Sequence, residues 1–215
     1  MKWVQRWMKK HSDVPSYRKG RILDVKRAEY STEENVRCYF QNISNAIPQL
    51  KLADKPARIW NCDETGVTAE GNYNERVICP KSMSANVQCS SDRENVSIVG
   101  CVSADGGFMP PLYIFAGAQR KINWIEKAPL NTKCQVSESS TINRNILLQW
   151  FKWYVEILPP VRPQLLILDE HFAHISLATV KYGEENNVHI FVLPARTSRF
   201  LQPLDVGVYQ PFKSL

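Results

Sequence analysis

The segment Pro163–His174, PQLLILDEHFAH, limits what this chain can fold into more than any other stretch. An unbroken apolar run from Leu165 to Leu168 leads into Asp169. A run this short and this apolar reads as a strand buried on both faces, since a half-exposed strand would alternate polar residues into it. A sheet built around such a strand needs covering structure above and below. The strand stops on Asp169, followed by Glu170, His171 and His174. An acid that ends a buried strand lies at the open edge of a sheet, where ligands and metals collect. The same acid can equally cap the next helix. Partners elsewhere in the chain decide between these readings.

Two further aspartates stand in comparable settings. ARIWNCDETGV is a strand candidate that ends at Asp63, with Gly66 as its breaker. Asp205 follows Gln202-Pro203-Leu204, where proline suits the first turn of a helix. Glu64 points to the opposite face from Asp63 if strand alternation continues, so it is not counted with the three. Magnesium or manganese takes hard oxygen ligands, typically one or two carboxylates with water and phosphate oxygens. Two such ions about 4 Å apart activate an attacking oxygen and stabilise a leaving one in phosphodiester cleavage. His171 and His174 have an i, i+3 spacing that permits metal ligation, and they also read as packing residues beside Asp169. Arg196 and Arg199, in the loop ARTSRF, are either phosphate contacts or solvated loop residues.

The remaining pattern is alternating α/β. VSIVGCVSA and FMPPLYIFAG flank Asp105-Gly106-Gly107 and read as a hairpin with a glycine turn. Pro110-Pro111 argues for an edge strand or a bulge. TINRNILLQWFKWYVEIL reads as an amphipathic helix with Thr141 as N-cap. Its expected buried side is Ile142, Ile146, Leu147, Trp150, Phe151, Tyr154 and Leu158. A helix over residues 175–186 and the strand VHIFVLP follow. Upstream, Ser31 or Thr32 with Glu34 opens a helix to about Ala46, and residues 48–56 read as a linker. The order strand, hairpin, helix, strand, helix, strand predicts a mixed α/β sheet with helices on its faces.

Charge is unevenly placed. The 215-residue chain carries a net charge of +6, yet residues 1–27 hold nine Lys/Arg against two Asp/Glu. A basic arm on a near-neutral body suits a polyanion, nucleic acid being the commonest; the alternative is a solvated tail. Trp3, Val4, Trp7 and Met8 fall on one helical face, with Lys2, Arg6, Lys9 and Lys10 around it. These four basic residues, with Arg18, Lys19 and Arg21 of the connector, are the candidate DNA contacts. A hydrophobic content of 44% suits one well-cored domain with a small appendage. No run of about 18 apolar residues is present, so no membrane span is expected. The six cysteines form no C-x-x-C, which argues against a zinc knuckle and for a reducing compartment.

IWNCDETGV, LLILDEHFAHI and LQPLDVGVYQPFK resemble, in order and spacing, the three acidic motifs of the DDE superfamily endonuclease domain. The branch they resemble is the pogo/Tigger/jerky transposases and their domesticated relatives, including centromere protein B. VSADGGFMPPLYIF is similar to the same family's hairpin, and WVQRWMKKHSDVPSYRKGR to the last helix and exit of its second helix-turn-helix unit. The resemblance implies an RNase H-like mixed β-sheet with flanking helices, preceded by a short helical remnant of a helix-turn-helix DNA-binding region. It implies a partial DNA-binding region over 1–30, a helix and linker over 31–55, and the endonuclease domain over 56–215, shortened at its C-terminal end. Asp63, Asp169 and Asp205 would form the catalytic, metal-binding triad for two Mg2+ or Mn2+ ions, with Asp63 shared between them. DNA is the implied partner, the nucleus the implied location, and a homodimer is compatible with the family. The alternative is a domesticated nuclear DNA-binding protein without catalysis. Three departures bear on that choice: Glu170 replaces the family's usual glycine, Ala173 its small hydroxyl residue, and Arg199 a frequent histidine.

Overall fold

A computed structural model describes residues 6–7, 9–10, 32–68, 95–119, 122–170 and 175–213. Lys2, Arg18, Lys19, Arg21, His11, His171, Ala173 and His174 lie outside the described residues.

Among the described residues six strands form one sheet: β1 (Ile59–Thr68), β2 (Asn95–Ser103), β3 (Leu112–Ala116), β4 (Lys133–Ser137), β5 (Gln164–Leu168) and β6 (Val188–Val192). Their spatial order is β4-β3-β2-β1-β5-β6. β1 pairs antiparallel with β2, and β2 with β3, while the β3–β4, β1–β5 and β5–β6 pairs are parallel. This is the expected mixed sheet. The apolar run from Leu165 to Leu168 lies in β5, which is buried at all five positions. Helix α3 (Leu177–Glu185) supplies the crossover that the parallel β5–β6 pairing requires, and helix α2 (Arg144–Ile157) lies in the connection from β4 to β5.

The core lies between α2 and the sheet. Ile146, Leu147, Trp150, Phe151, Trp153, Tyr154 and Val155 of α2 are buried. Tyr154 meets Trp60 of β1 edge-on, with ring centroids 6.0 Å apart, and Cys62, Val99, Ile114, Leu166 and Leu168 belong to the same apolar cluster. Trp60 and Cys62 therefore face α2, and strand alternation turns Asn61, Asp63 and Thr65 to the other face. All three of these polar residues are buried.

Several sequence expectations change. β1 does not end at Asp63 but continues to Thr68 through Gly66, because Gly66 stays in the antiparallel ladder opposite Ser97. The N-cap of α2 is Asn143 and not Thr141; the Asn143 side chain accepts from the N–H groups of both Asn145 and Ile146. Pro110 and Pro111 mark no edge strand, since β3 begins after them and is flanked by β2 and β4. β4 was not expected at all. The first long helix, α1 (Glu33–Gln49), capped by Thr32, runs past Ala46 and takes Pro48 into its last turn. The glycine-turn hairpin forms as expected, with Gly106 at φ 95°, a conformation that favours glycine.

Candidate functional site

Asp63 and Asp169 are brought together by strand register. β1 and β5 pair in parallel with Cys62 opposite Leu168, so Asp63 and Asp169 come one position later on neighbouring strands. Parallel neighbours lie about 4.8 Å apart and point to the same face at paired positions. Both aspartates are only 6% exposed. Asp169 accepts from its neighbour's backbone N–H, Glu170, at 2.5 Å through Oδ1, and from the Ser198 hydroxyl at 2.7 Å through Oδ2. Glu170 itself is exposed. Glu64 points away, as alternation predicts: its carboxylate accepts from the Ile142 N–H, just before α2.

Asp205 reaches the same face from the C-terminal helical segment. After the short helix α4 (Ser198–Leu201), helical structure resumes at Pro203, as the proline predicts. Asp205 opens a π-helical turn over Asp205–Tyr209, which passes into α5 (Gln210–Phe212). Single π-turns are rare and often mark functional sites. The segment is bolted to β1 by buried polar contacts. Asn61 Nδ2 donates to Gln202 Oε1 at 2.6 Å and to the Ile167 carbonyl at 3.2 Å, while Asn61 Oδ1 accepts from the Leu204 N–H at 3.2 Å. Gln202 Nε2 donates to the Cys62 carbonyl at 3.3 Å. The Tyr209 hydroxyl donates to the Asp63 carbonyl at 2.8 Å and accepts from the Gly100 N–H at 3.1 Å. Burial pushes the Tyr209 phenol well up, so it keeps the proton it donates.

Electrostatics tie the three acids together. Burial pushes Asp63 up from the ordinary carboxylate range to about 7, and the charges of Asp205 and Asp169 push the same way; a hydrogen bond from the Gln202 side chain opposes the rise. Asp205 is also raised, by burial first; Lys213 draws it down while Asp169 pushes it further up. The three carboxylates thus form one patch of mutually opposed charge. Thr65, two residues beyond Asp63 and on the same face, is 2% exposed, and its hydroxyl has no hydrogen-bond partner among the described residues. Among those residues no three His, Cys, Asp or Glu side chains already converge tightly enough to hold one ion.

The other candidates are dispersed. Arg6, Lys9 and Lys10 are exposed on helical backbone. Arg199 is exposed, and Arg196 is half-buried at a positive φ of 61°. Asn61, Ser198, Gln202 and Tyr209 were missed from sequence. The available signal was polar residues inside otherwise apolar motifs, Asn61 in IWNCD and Gln202 in LQPLD.

Residues 92–215 match the family of DDE superfamily endonucleases. A curated relative, the MFS-type transporter clz9 of Cochliobolus lunatus, is 31% identical over 127 residues, covering 57% of this chain and 14% of that protein. No described helix is long and apolar enough to cross a membrane. Among solved structures, the Mos1 transposase paired-end complex with the left transposon end is similar at a TM-score of 0.60 and 12% identity. The Mos1 strand transfer complex gives 0.64 at 10% identity, and the mariner Mos1 paired-end complex with Mn 0.63 at 9%. In all three the likeness covers 99% of this chain, which spans 55–56% of those chains. At such identities the likeness establishes the RNase H-like fold, including β1, which precedes the family match.

Proposed function

The chain belongs to the DDE superfamily endonucleases, and we propose from this that it is a transposase-derived, DNA-binding protein whose reaction centre is Asp63, Asp169 and Asp205. The observation that carries the reading is the gathering of these three carboxylates on one sheet face, two by strand register and one by a bolted helical turn. The donor set fits divalent magnesium or manganese. It consists of hard oxygens, their charges oppose one another, and a buried hydroxyl without a partner among the described residues, Thr65, lies on the same face. Asp63 with Asp169, and Asp63 with Asp205, would hold the two ions. Bound there, the ions supply Lewis-acid stabilisation and an activated oxygen for phosphodiester hydrolysis.

The chain's own residues position and screen. Ser198 and the Glu170 N–H fix the Asp169 carboxylate, and the Asn61–Gln202 pair holds the turn carrying Asp205. Residues 1–30 would act as a helix-turn-helix-derived DNA-binding region whose cations follow phosphates, residues 31–55 as helix and linker, and residues 56–215 as the endonuclease domain. The solved Mos1 complex with a transposon end supports DNA as the partner, and the nucleus is the location proposed with that partner. The three acidic motifs and the hairpin VSADGGFMPPLYIF support the pogo/Tigger/jerky branch. A second reading, DNA binding without cleavage, is favoured by Glu170 standing where the family carries glycine.

Nicking of supercoiled DNA in Mg2+ or Mn2+ separates the two. The parent chain is expected to nick, with Asp169→Asn and Asp205→Asn each slower by at least about 100-fold, the scale of removing one electrostatic stabiliser of the transition state. Variants that cut as fast as the parent would overturn the triad; salt-sensitive DNA binding with no cleavage by the parent would favour the second reading.

A further inference from the structure

We infer that Gln202 and Tyr209, working with Asn61, are positioning residues that set the spacing between Asp63 and Asp205, and through it the affinity of the divalent ion those two would share. The inference rests on the function proposed above and adds residues outside the acidic triad.

Asp205 lies between two attachment points, and both fasten to the stretch of β1 that carries Asp63. On one side, Gln202 is fully buried, receives Asn61 Nδ2 at 2.6 Å and donates to the Cys62 carbonyl at 3.3 Å. On the other side, Tyr209 is 6% exposed and its hydroxyl joins the Asp63 carbonyl to the Gly100 N–H. Gly100 and Asp63 are register partners in the β1–β2 ladder, so the hydroxyl is seated over two central strands at once. It can sit there only because position 100 is glycine: a Cβ at that position would lie 2.6 Å from the Tyr209 oxygen. The attachments fall three residues before Asp205 and four after it, and the π-turn between them is where Asp205 projects. A helical turn held at one end could swing; held at both, it delivers the Asp205 carboxylate at a fixed distance from β1. Besides the bond from the Gln202 side chain to the Asp63 carboxyl, these bolts run to the Asn61 side chain and to backbone groups of Cys62, Asp63 and Gly100, and the Tyr209 bolt touches no triad carboxylate.

Outer residues that orient metal ligands typically change metal affinity by about 10- to 100-fold when replaced. The test is direct Mn2+ titration of the full metal-free chain, without DNA, followed by nicking across a range of Mn2+ concentrations. Gln202→Met keeps length and volume but cannot donate, and Tyr209→Phe keeps the ring and loses only the hydroxyl. Gln164→Met is the control: Gln164 is as buried as Gln202 and hydrogen-bonds Trp60, on the opposite face of β1. Gln202→Met and Tyr209→Phe are expected to weaken Mn2+ binding by about 10-fold or more. Their nicking should recover at saturating Mn2+, so that the half-saturating concentration moves more than the maximal rate. Gln164→Met should lose comparable thermal stability with Mn2+ affinity unchanged. Affinities in Gln202→Met and Tyr209→Phe equal to those of the control overturn the positioning role while leaving the triad intact. A parent chain that binds no Mn2+ overturns the metal reading and this inference together.

Discussion

Asp63 carries a charge its surroundings disfavour. It is 6% exposed, stands beside two other acids, and titrates at about 7 rather than near 3.8. Because the folded value is the raised one, the folded state binds the extra proton. The associated stability is fully present below about pH 4 and is lost as pH rises through about 7. The full loss is on the order of 4 kcal/mol for a shift of this size. Asp205 is shifted in the same direction and adds to the trend. Metal-free protein is therefore expected to unfold more easily at pH 8 than at pH 5. Asp63→Asn, which has no carboxylate to ionise, should be the more stable chain at pH 8, and its advantage should shrink toward pH 4. Urea denaturation across that range in a chelating buffer measures it; a parent whose stability rises from pH 5 to 8 would show that the acids are not opposed as described.

Among the elements, the decisive contacts join pieces far apart in sequence. β5 and the α2 stripe were legible because each is a local period: an unbroken apolar run, and apolar residues every three or four positions. The helix start at Pro203 was legible for a local reason too. β4 was not. Lys133–Ser137 is a five-residue edge strand, KCQVS, with no alternation strong enough to read. The cap of α2 was misplaced because Ser140, Thr141 and Asn143 are all capping residues, and only geometry shows which side chain meets the free N–H groups. Asp169, Asp63 and Asp205 could be nominated from their motifs. The Asn61–Gln202 contact, spanning 141 residues, could not be, since nothing local fixes which buried polar groups meet. Packing between elements can be tested at Gly183. This residue of α3 faces the start of β6, where an added Cβ would lie 2.8 Å from the Val188 carbonyl oxygen and 3.4 Å from the Phe151 ring. Gly183→Ala must push α3 off backbone, at a cost of about 1–3 kcal/mol, measurable as a lowered denaturation midpoint. A midpoint equal to or above the parent's would show that the α3–β6 contact is looser than described.

For the whole molecule, charge and chemistry are segregated. The basic excess is confined to residues 1–27, and the acid patch lies at the centre of the sheet. A protein acting on a polyanion through carboxylates needs such a division: cations to hold the phosphates, and metal ions to offset the acids where the backbone is cut. Replacing Arg6, Lys9 and Lys10 together with Gln should reduce the slope of log affinity against log salt by nearly 3, at about 0.9 for each phosphate that goes unneutralised on duplex DNA. An unchanged slope would show that this segment does not bind DNA.

Three aspartates drawn from β1, β5 and the C-terminal turn are thus proposed to form one divalent-metal site that cuts DNA. A single Mn2+ titration of the purified chain, following thermal unfolding and DNA nicking in the same samples, tests this in one experiment. Both responses are expected to rise with the same half-saturating Mn2+ concentration, and Asp63→Asn is expected to abolish both while remaining folded. Nicking that proceeds in chelator, or an Asp63→Asn chain that is stabilised by Mn2+ and cuts as the parent does, would refute the shared site.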